Sequence, residues 1–192
     1  MANSDTKNGL VPVSHARGGD HTRINSVCRN WTIRAAQTDS IFKGDLVKRL
    51  SGDTIALDLA ASGDVVIGVF RGVSYTDSDG KPVYSKYWDG AGTGRTNIVA
   101  EVCDDPDVIY AVQAADAAVA ASLYGTLVDA TVASPNGSTL TGLSYTEANV
   151  GASSNDDFLV LDYKNDGKND SASADSTIFV MLNKHELGPR LS

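Results

Sequence analysis

Glutamate is nearly missing from this chain. Of its 24 acidic residues only Glu101, Glu147 and Glu186 are Glu, and the other 21 are Asp. Asp favours turns and caps whereas Glu favours helix interiors, so this choice speaks against a helical protein. Cysteine is scarce too. Cys28 and Cys103 alone do not make a disulfide scaffold; they read as buried thiols or as one bridge. The three histidines, His15, His21 and His185, show no HxH or HExxH spacing, so no zinc site is expected. No run approaches the roughly 20 apolar residues that span a bilayer, which excludes a membrane helix. The opening Met1–Asp5 is polar and no apolar stretch follows, so no secretory signal is expected. Basic residues number 16 against 24 acidic, a net charge of −8, which argues against a general nucleic-acid binder.

What is present reads as strands joined by turns. The 192 residues include 18 Gly and 33 Ser or Thr, and Val, at 19, outnumbers Leu and Ile. Strand-like runs fall at 26–35, 40–50, 65–73, 97–102, 108–113, 126–133, 158–163 and 177–183. The strongest is Val65–Val73, nearly all apolar, with Gly68 and Gly72 marking a bulge or a close backbone approach. Asp77-Ser-Asp-Gly80 is a hairpin turn between Tyr75-Thr76 and Val83-Tyr84. Ala114–Tyr124 is the one helical pattern, with Asp116 near its start and Gly125 to end it. The fold expected is therefore mainly β, a small β-barrel or sandwich, with one short α-helix and an extended N-terminal arm. The arm is residues 1–26, punctuated by Asn8-Gly9, Pro12 and Gly18-Gly19; residues 27–192 form a single β-rich domain. Residues 1–50 carry +4 and the rest −12, so a basic segment precedes an acidic body.

Each pattern with a chemical reading also has a plainer explanation. Asp162–Gly167 resembles a calcium loop, but Lys164 stands at a ligand position and Ser173 where a Glu is needed, so a solvated hairpin tip is expected. Asp104, Asp105 and Asp107 surround Pro106 and read as turn caps rather than an acid–base pair or a cation site. Gly90–Thr96 lacks phosphate-loop spacing and reads as a glycine-rich structural loop. No G-x-S-x-G elbow occurs. Tyr84, Tyr87 and Trp88 form a packed hairpin corner or a stacking surface for sugar rings. No catalytic, cofactor or metal residues are assigned, and no enzyme activity is expected.

Five blocks in order resemble one family. They are Asn8-Gly-Leu-Val-Pro-Val13, Ile41–Lys48, Ile67–Asp77 with Val83–Trp88, Asp104–Gln113, and Val180–Leu187 with its closing Asn-Lys-His-Glu-Leu. Together they resemble the decoration (cement) proteins of tailed-bacteriophage capsids, most closely forms of short-tailed phages of aquatic bacteria. Leu10-Val11 departs from the family, which has an aromatic and a basic residue there, and the polar stretch 164–176 is longer than its counterpart. The resemblance implies a non-enzymatic virion protein on the outer capsid surface. It implies the major capsid protein as partner, a trimer as assembly, and neither nucleic acid nor membrane as ligand. The arm and the closing segment are then the candidate contacts: Lys7, Asn8, Leu10, Val11, Pro12, Val13, His15 and Arg17, with Lys184, His185 and Leu187. Edge strands in such a protein invite pairing with a partner strand. The alternative is a virion- or cell-surface β domain that binds carbohydrate or a host surface.

Overall fold

Along residues 158–161 and 177–182 burial alternates residue by residue, as strands with one face on a core require. The computed structural model describes residues 3–18, 28–34, 37–50, 56–115, 117–165 and 167–188. In the first half the strands are β1 (Val11–His15), β2 (Cys28–Ile33), β3 (Ile41–Phe42), β4 (Leu46–Arg49), β5 (Ala56–Leu59), β6 (Gly68–Thr76), β7 (Pro82–Ser85) and β8 (Tyr87–Trp88). In the second half they are β9 (Thr96–Cys103), β10 (Val108–Gln113), β11 (Leu127–Thr131), β12 (Gly137–Ser138), β13 (Leu143–Ser144), β14 (Glu147–Asn149), β15 (Phe158–Tyr163) and β16 (Thr177–Leu182). The mainly-β expectation holds, and the barrel alternative is the one realised.

The barrel has five strands in the order β4-β5-β2-β9-β6, and β6 closes it by pairing with β4. Only β2 and β5 run parallel. Its interior is a cluster of buried side chains that includes Ile33, Val47, Leu57, Phe70, Val73, Ala100 and Val102, joined by Ile41 and Trp88 from the β3–β8 ribbon. Strand β6 carries the expected irregularities. A Cβ at Gly68 would run into the Cys103 carbonyl, and a bulge separates Phe70 from Gly72. The hairpin to β7 closes at Asp77, whose carboxylate accepts from the amides of Asp79 and Lys81.

The remaining strands build a six-stranded antiparallel sheet in the order β1-β10-β16-β15-β11-β14. One face lies on the barrel wall. Tyr110, Phe158, Val160, Ile178 and Val180 of the sheet share a core with Leu46, Val69 and Cys103 of the barrel. Residues 3–18 of the expected arm run along this body, and β1 forms an edge of the sheet, where Pro12 is tolerated. Residues 1–2 and 19–27, with His21, lie outside the described residues.

The expected helix over 114–124 is a correction. One 3-10 turn, Ala121–Leu123, forms there. The backbone amides of Ala114, Ala115 and Val119 donate instead to the carbonyls of Ser176, Ala148 and Ser171, each at 2.8 Å. A three-turn alanine helix is marginal by itself, so these tertiary partners decide the conformation. Asp116 lies outside the described residues. No helix among the described residues is long and apolar enough to cross a membrane.

Candidate functional site

The face of the six-stranded sheet that points away from the barrel is apolar. In β10 the buried Val108, Tyr110 and Val112 alternate with Ile109 and Ala111, which are only partly covered. In β16 the partly covered side chains are Thr177, Phe179 and Met181, and in β15 Leu159, Leu161 and Tyr163. Registry aligns them across strands: Val11 opposite Ala111, Ala111 opposite Phe179, and Met181 opposite Leu159. Val11, Val13, Ile109, Ala111, Leu161 and Phe179 line a groove of about 670 Å³ on this face. The charged side chains lining it are Asp162 and Lys164. A sheet solvated on one side normally alternates apolar with polar residues; this one does not.

The two edges of the sheet are poor templates for a further strand. Edge β1 carries Pro12 and a bulge before Ser14, and edge β14 is three residues long. Both are devices that discourage edge pairing.

The N-terminal segment borders the groove because it is tied down at several points. The Asn3 side-chain amide donates to the Asp170 and Ala174 carbonyls, both at 2.8 Å. Lys7 pairs with the buried Glu147 at 2.7 Å. The Leu10 amide donates to the Gly44 carbonyl at 3.0 Å. Gly9 and Gly44 meet backbone to backbone with positive φ angles of 62° and 100°, leaving no room for a side chain at either. The Gly44 turn is held in turn by Asp45. Its fully buried carboxylate accepts from the Phe42 amide and the Asn136 side chain, both at 2.7 Å, and from the Ser144 and Thr146 hydroxyls. Burial pushes the Asp45 carboxyl up to about 6 despite these donors.

The expected contact residues therefore divide. Asn8, Val11 and Val13 line the groove. His15, Arg17 and Leu187 meet at the far end of β1, in a second cleft of about 540 Å³ with Arg29 and the Asp104–Asp107 turn. There Arg17 pairs with Asp107 at 2.6 Å, His15 Nε2 lies 3.4 Å from Asp105, and Arg29 pairs with the buried Asp104 at 2.7 Å. Asp105 also caps its turn, accepting from the Asp107 amide. Ligand atoms of His15, Asp105 and Asp107 lie within 4.8 Å of one another, but Arg17 already supplies the positive charge. Leu10 and Pro12 are buried in the protein's own core, so their part is internal. His185 is likewise buried; its Nδ1 accepts from the Leu187 amide, and burial pushes its pKa down. Lys184 reaches back to the Gly63 carbonyl at 3.4 Å, and its own carbonyl accepts from the Val66 amide.

The aromatic trio does not form a stacking platform. Trp88 is fully buried, and Tyr87 stacks on Phe42 with centroids 5.3 Å apart; only Tyr84, at 85% exposure, is open to solvent. The glycine-rich loop has a structural task. Its Arg95 bonds Asp89 and lies over the Tyr75 and Trp88 rings at 4.3 and 5.3 Å. Compared with known proteins, the chain matches no family model, no curated protein and no solved structure.

Proposed function

We propose that this chain is a non-enzymatic capsid decoration protein: an oligomer, most simply a trimer, that binds the outside of an expanded phage head and bridges neighbouring capsid subunits. The apolar outer face of the six-stranded sheet carries the proposal. A face built from Val11, Ile109, Ala111, Leu159, Phe179 and Met181 is the kind of surface that a permanent interface covers. Its occupant is a second copy of this chain. A shell that stands in water before decoration offers a polar exterior, whereas copies made together can bury an apolar face for good. The net charge of −8 sits almost wholly off this face, so copies can meet there without placing like charges in contact.

In this reading the polar cleft at the end of β1, with Arg17, His15 and Leu187, is left for the capsid. Many copies on one shell turn modest contacts into strong attachment. The five blocks that resemble decoration proteins supply the rest of the support. They contribute β1, the β3–β4 turn, β6 to β8, β10 and the β16 end of the chain, and so build both the barrel and the sheet.

The test is co-sedimentation of the purified protein with undecorated heads, expanded and unexpanded. Saturable binding to expanded heads alone is the expected result. Folded protein that binds neither form sinks the proposal.

A further inference from the structure

We propose that Cys28 and Cys103 are a latent cross-link that forms when the protein meets an oxidant, clasping the barrel between β2 and β9. The two residues are directly opposite in the antiparallel β2–β9 pair, at the point where β2 begins. Opposed residues of such a pair lie roughly 4.5–5.5 Å apart at Cα, within the roughly 4.4–6.8 Å that disulfides span. Their side chains project to the same side of the sheet, and the two thiols are within hydrogen-bonding reach of each other. No disulfide joins them here.

The two sulfurs differ in the way a two-step oxidation needs. Cys28 is partly exposed, so a small oxidant reaches it; Cys103 is buried behind it. The Cys28 thiol donates toward Cys103; this contact and burial push the Cys28 thiol up, while the same contact, with Tyr110 and Arg71, holds the Cys103 thiol below its ordinary range. With a small-molecule disulfide as oxidant, Cys28 passes its proton to the Cys103 thiolate, attacks as the thiolate, forms a mixed disulfide and releases one small thiolate, which takes that proton from Cys103 and leaves as thiol. The Cys103 thiolate then attacks the Cys28 sulfur and releases the second. Two protein thiols lose two electrons and two protons, and one small disulfide becomes two thiols. The new bond ties strands 75 positions apart in the sequence, which restricts the unfolded chain far more than the folded one.

The test treats the full-length protein, in its native assembly, with oxidised glutathione or with a dithiol reductant. Thiols are counted after denaturation, the intact mass is measured, and the melting temperature is compared. The expected result has four parts: loss of both thiols, a mass lower by the two hydrogens, a linked peptide pair containing residues 28 and 103, and a melting point several degrees higher. Cys28→Ser, tested alongside, removes the shift. A stable glutathione adduct on Cys28, a covalent dimer, two unreacted thiols, or a bond with no gain in melting temperature would each overturn the proposal. No capsid enters this experiment, so its outcome is separate from that of the decoration reading.

Discussion

On the barrel, the exposed side chains of β2 are Arg29, Asn30 and Thr32, and β9 adds Glu101. On the six-stranded sheet the corresponding outward positions of β10 and β16 hold Ile109, Ala111, Phe179 and Met181, with the polar pair Gln113 and Thr177 at one end. The barrel closes on itself and shows water a polar wall where the sheet does not cover it. The sheet is apolar on both faces, and the barrel covers only one. Strand β6 shows what two apolar faces normally mean. Its run sends Phe70 and Val73 into the barrel and Val69 into the seam with the sheet, so both sides are covered. Strands β10, β15 and β16 are written in the same way, and their second side is only partly covered. In the proposed function, this difference marks the part of the molecule that a second copy covers.

One substitution made in both places tests this contrast most strongly. Val69 is fully buried in the seam, so Val69→Asp places an unpaired charge between barrel and sheet. A cost above about 4 kcal/mol is expected, enough to leave the protein unfolded or insoluble. Phe179→Asp, on the open face, is expected to fold with a near-native circular dichroism spectrum. If Val69→Asp is soluble and folded, the two-core description of β6 is wrong.

Phe179→Asp should act on assembly instead. It sits between Ala111 and the Leu161–Asp162 bulge, in the middle of the apolar face. Light scattering coupled to size exclusion should show the wild-type oligomer reduced to monomer, a weakening of about 100-fold or more. Ile109→Asp, on the neighbouring strand, should do the same. A wild-type protein that is monomeric at high concentration removes the second copy as the occupant of the face.

Next in size is the Asp45 clamp, which belongs to neither region but holds the barrel turn beneath the N-terminal segment. Burial raises its folded pKa to about 6, above the unfolded value near 3.8. Its contribution to stability is therefore complete below about pH 4 and is lost as pH rises through about 6. The full effect is about 3 kcal/mol, from roughly two pKa units at about 1.4 kcal/mol each. Asp45→Asn cannot ionise. Urea midpoints of the two proteins should draw apart between pH 4 and 7 in the sense that wild type loses more. Parallel curves would show that the carboxylate is held charged by its donors.

Much of this fold was legible in the sequence, and the exceptions have definite causes. The sequence runs for β10 and β15 match the observed strands residue for residue, because apolar runs between turn residues leave little choice. Gly68 was readable as a close approach because only a missing side chain lets Cys103 come so near. The helix over 114–124 was misread because propensity is local while the carbonyls of Ala148 and Ser176 that capture its amides are distant in sequence. Strands β12 to β14 are two or three residues each and left no periodic signal. The open apolar face did leave one. Phe158-Leu-Val-Leu161 and Ile178-Phe-Val-Met-Leu182 are continuous apolar runs rather than alternating ones, the mark of strands covered on both sides. Asp45 left none, since a buried carboxylate and a turn aspartate look alike until the Asn136 and Ser144 donors are brought to it.

The smallest effect on the fold should come from the cleft at the end of β1, and there the comparison turns from packing to recognition. The Arg17 side chain is 80% exposed where it pairs with Asp107, and such a pair contributes less than about 1 kcal/mol. Arg17→Ala combined with His15→Gln should leave the melting temperature within a few degrees and the oligomer intact, because neither side chain lines the apolar groove. Attachment to expanded heads should nonetheless weaken, most clearly at low salt where the lost charges are least screened, if the polar cleft meets the capsid while the apolar face holds the copies together. Undiminished binding by this double variant would move the capsid contact away from β1, and the division of labour between the two surfaces would have to be redrawn around the apolar face alone.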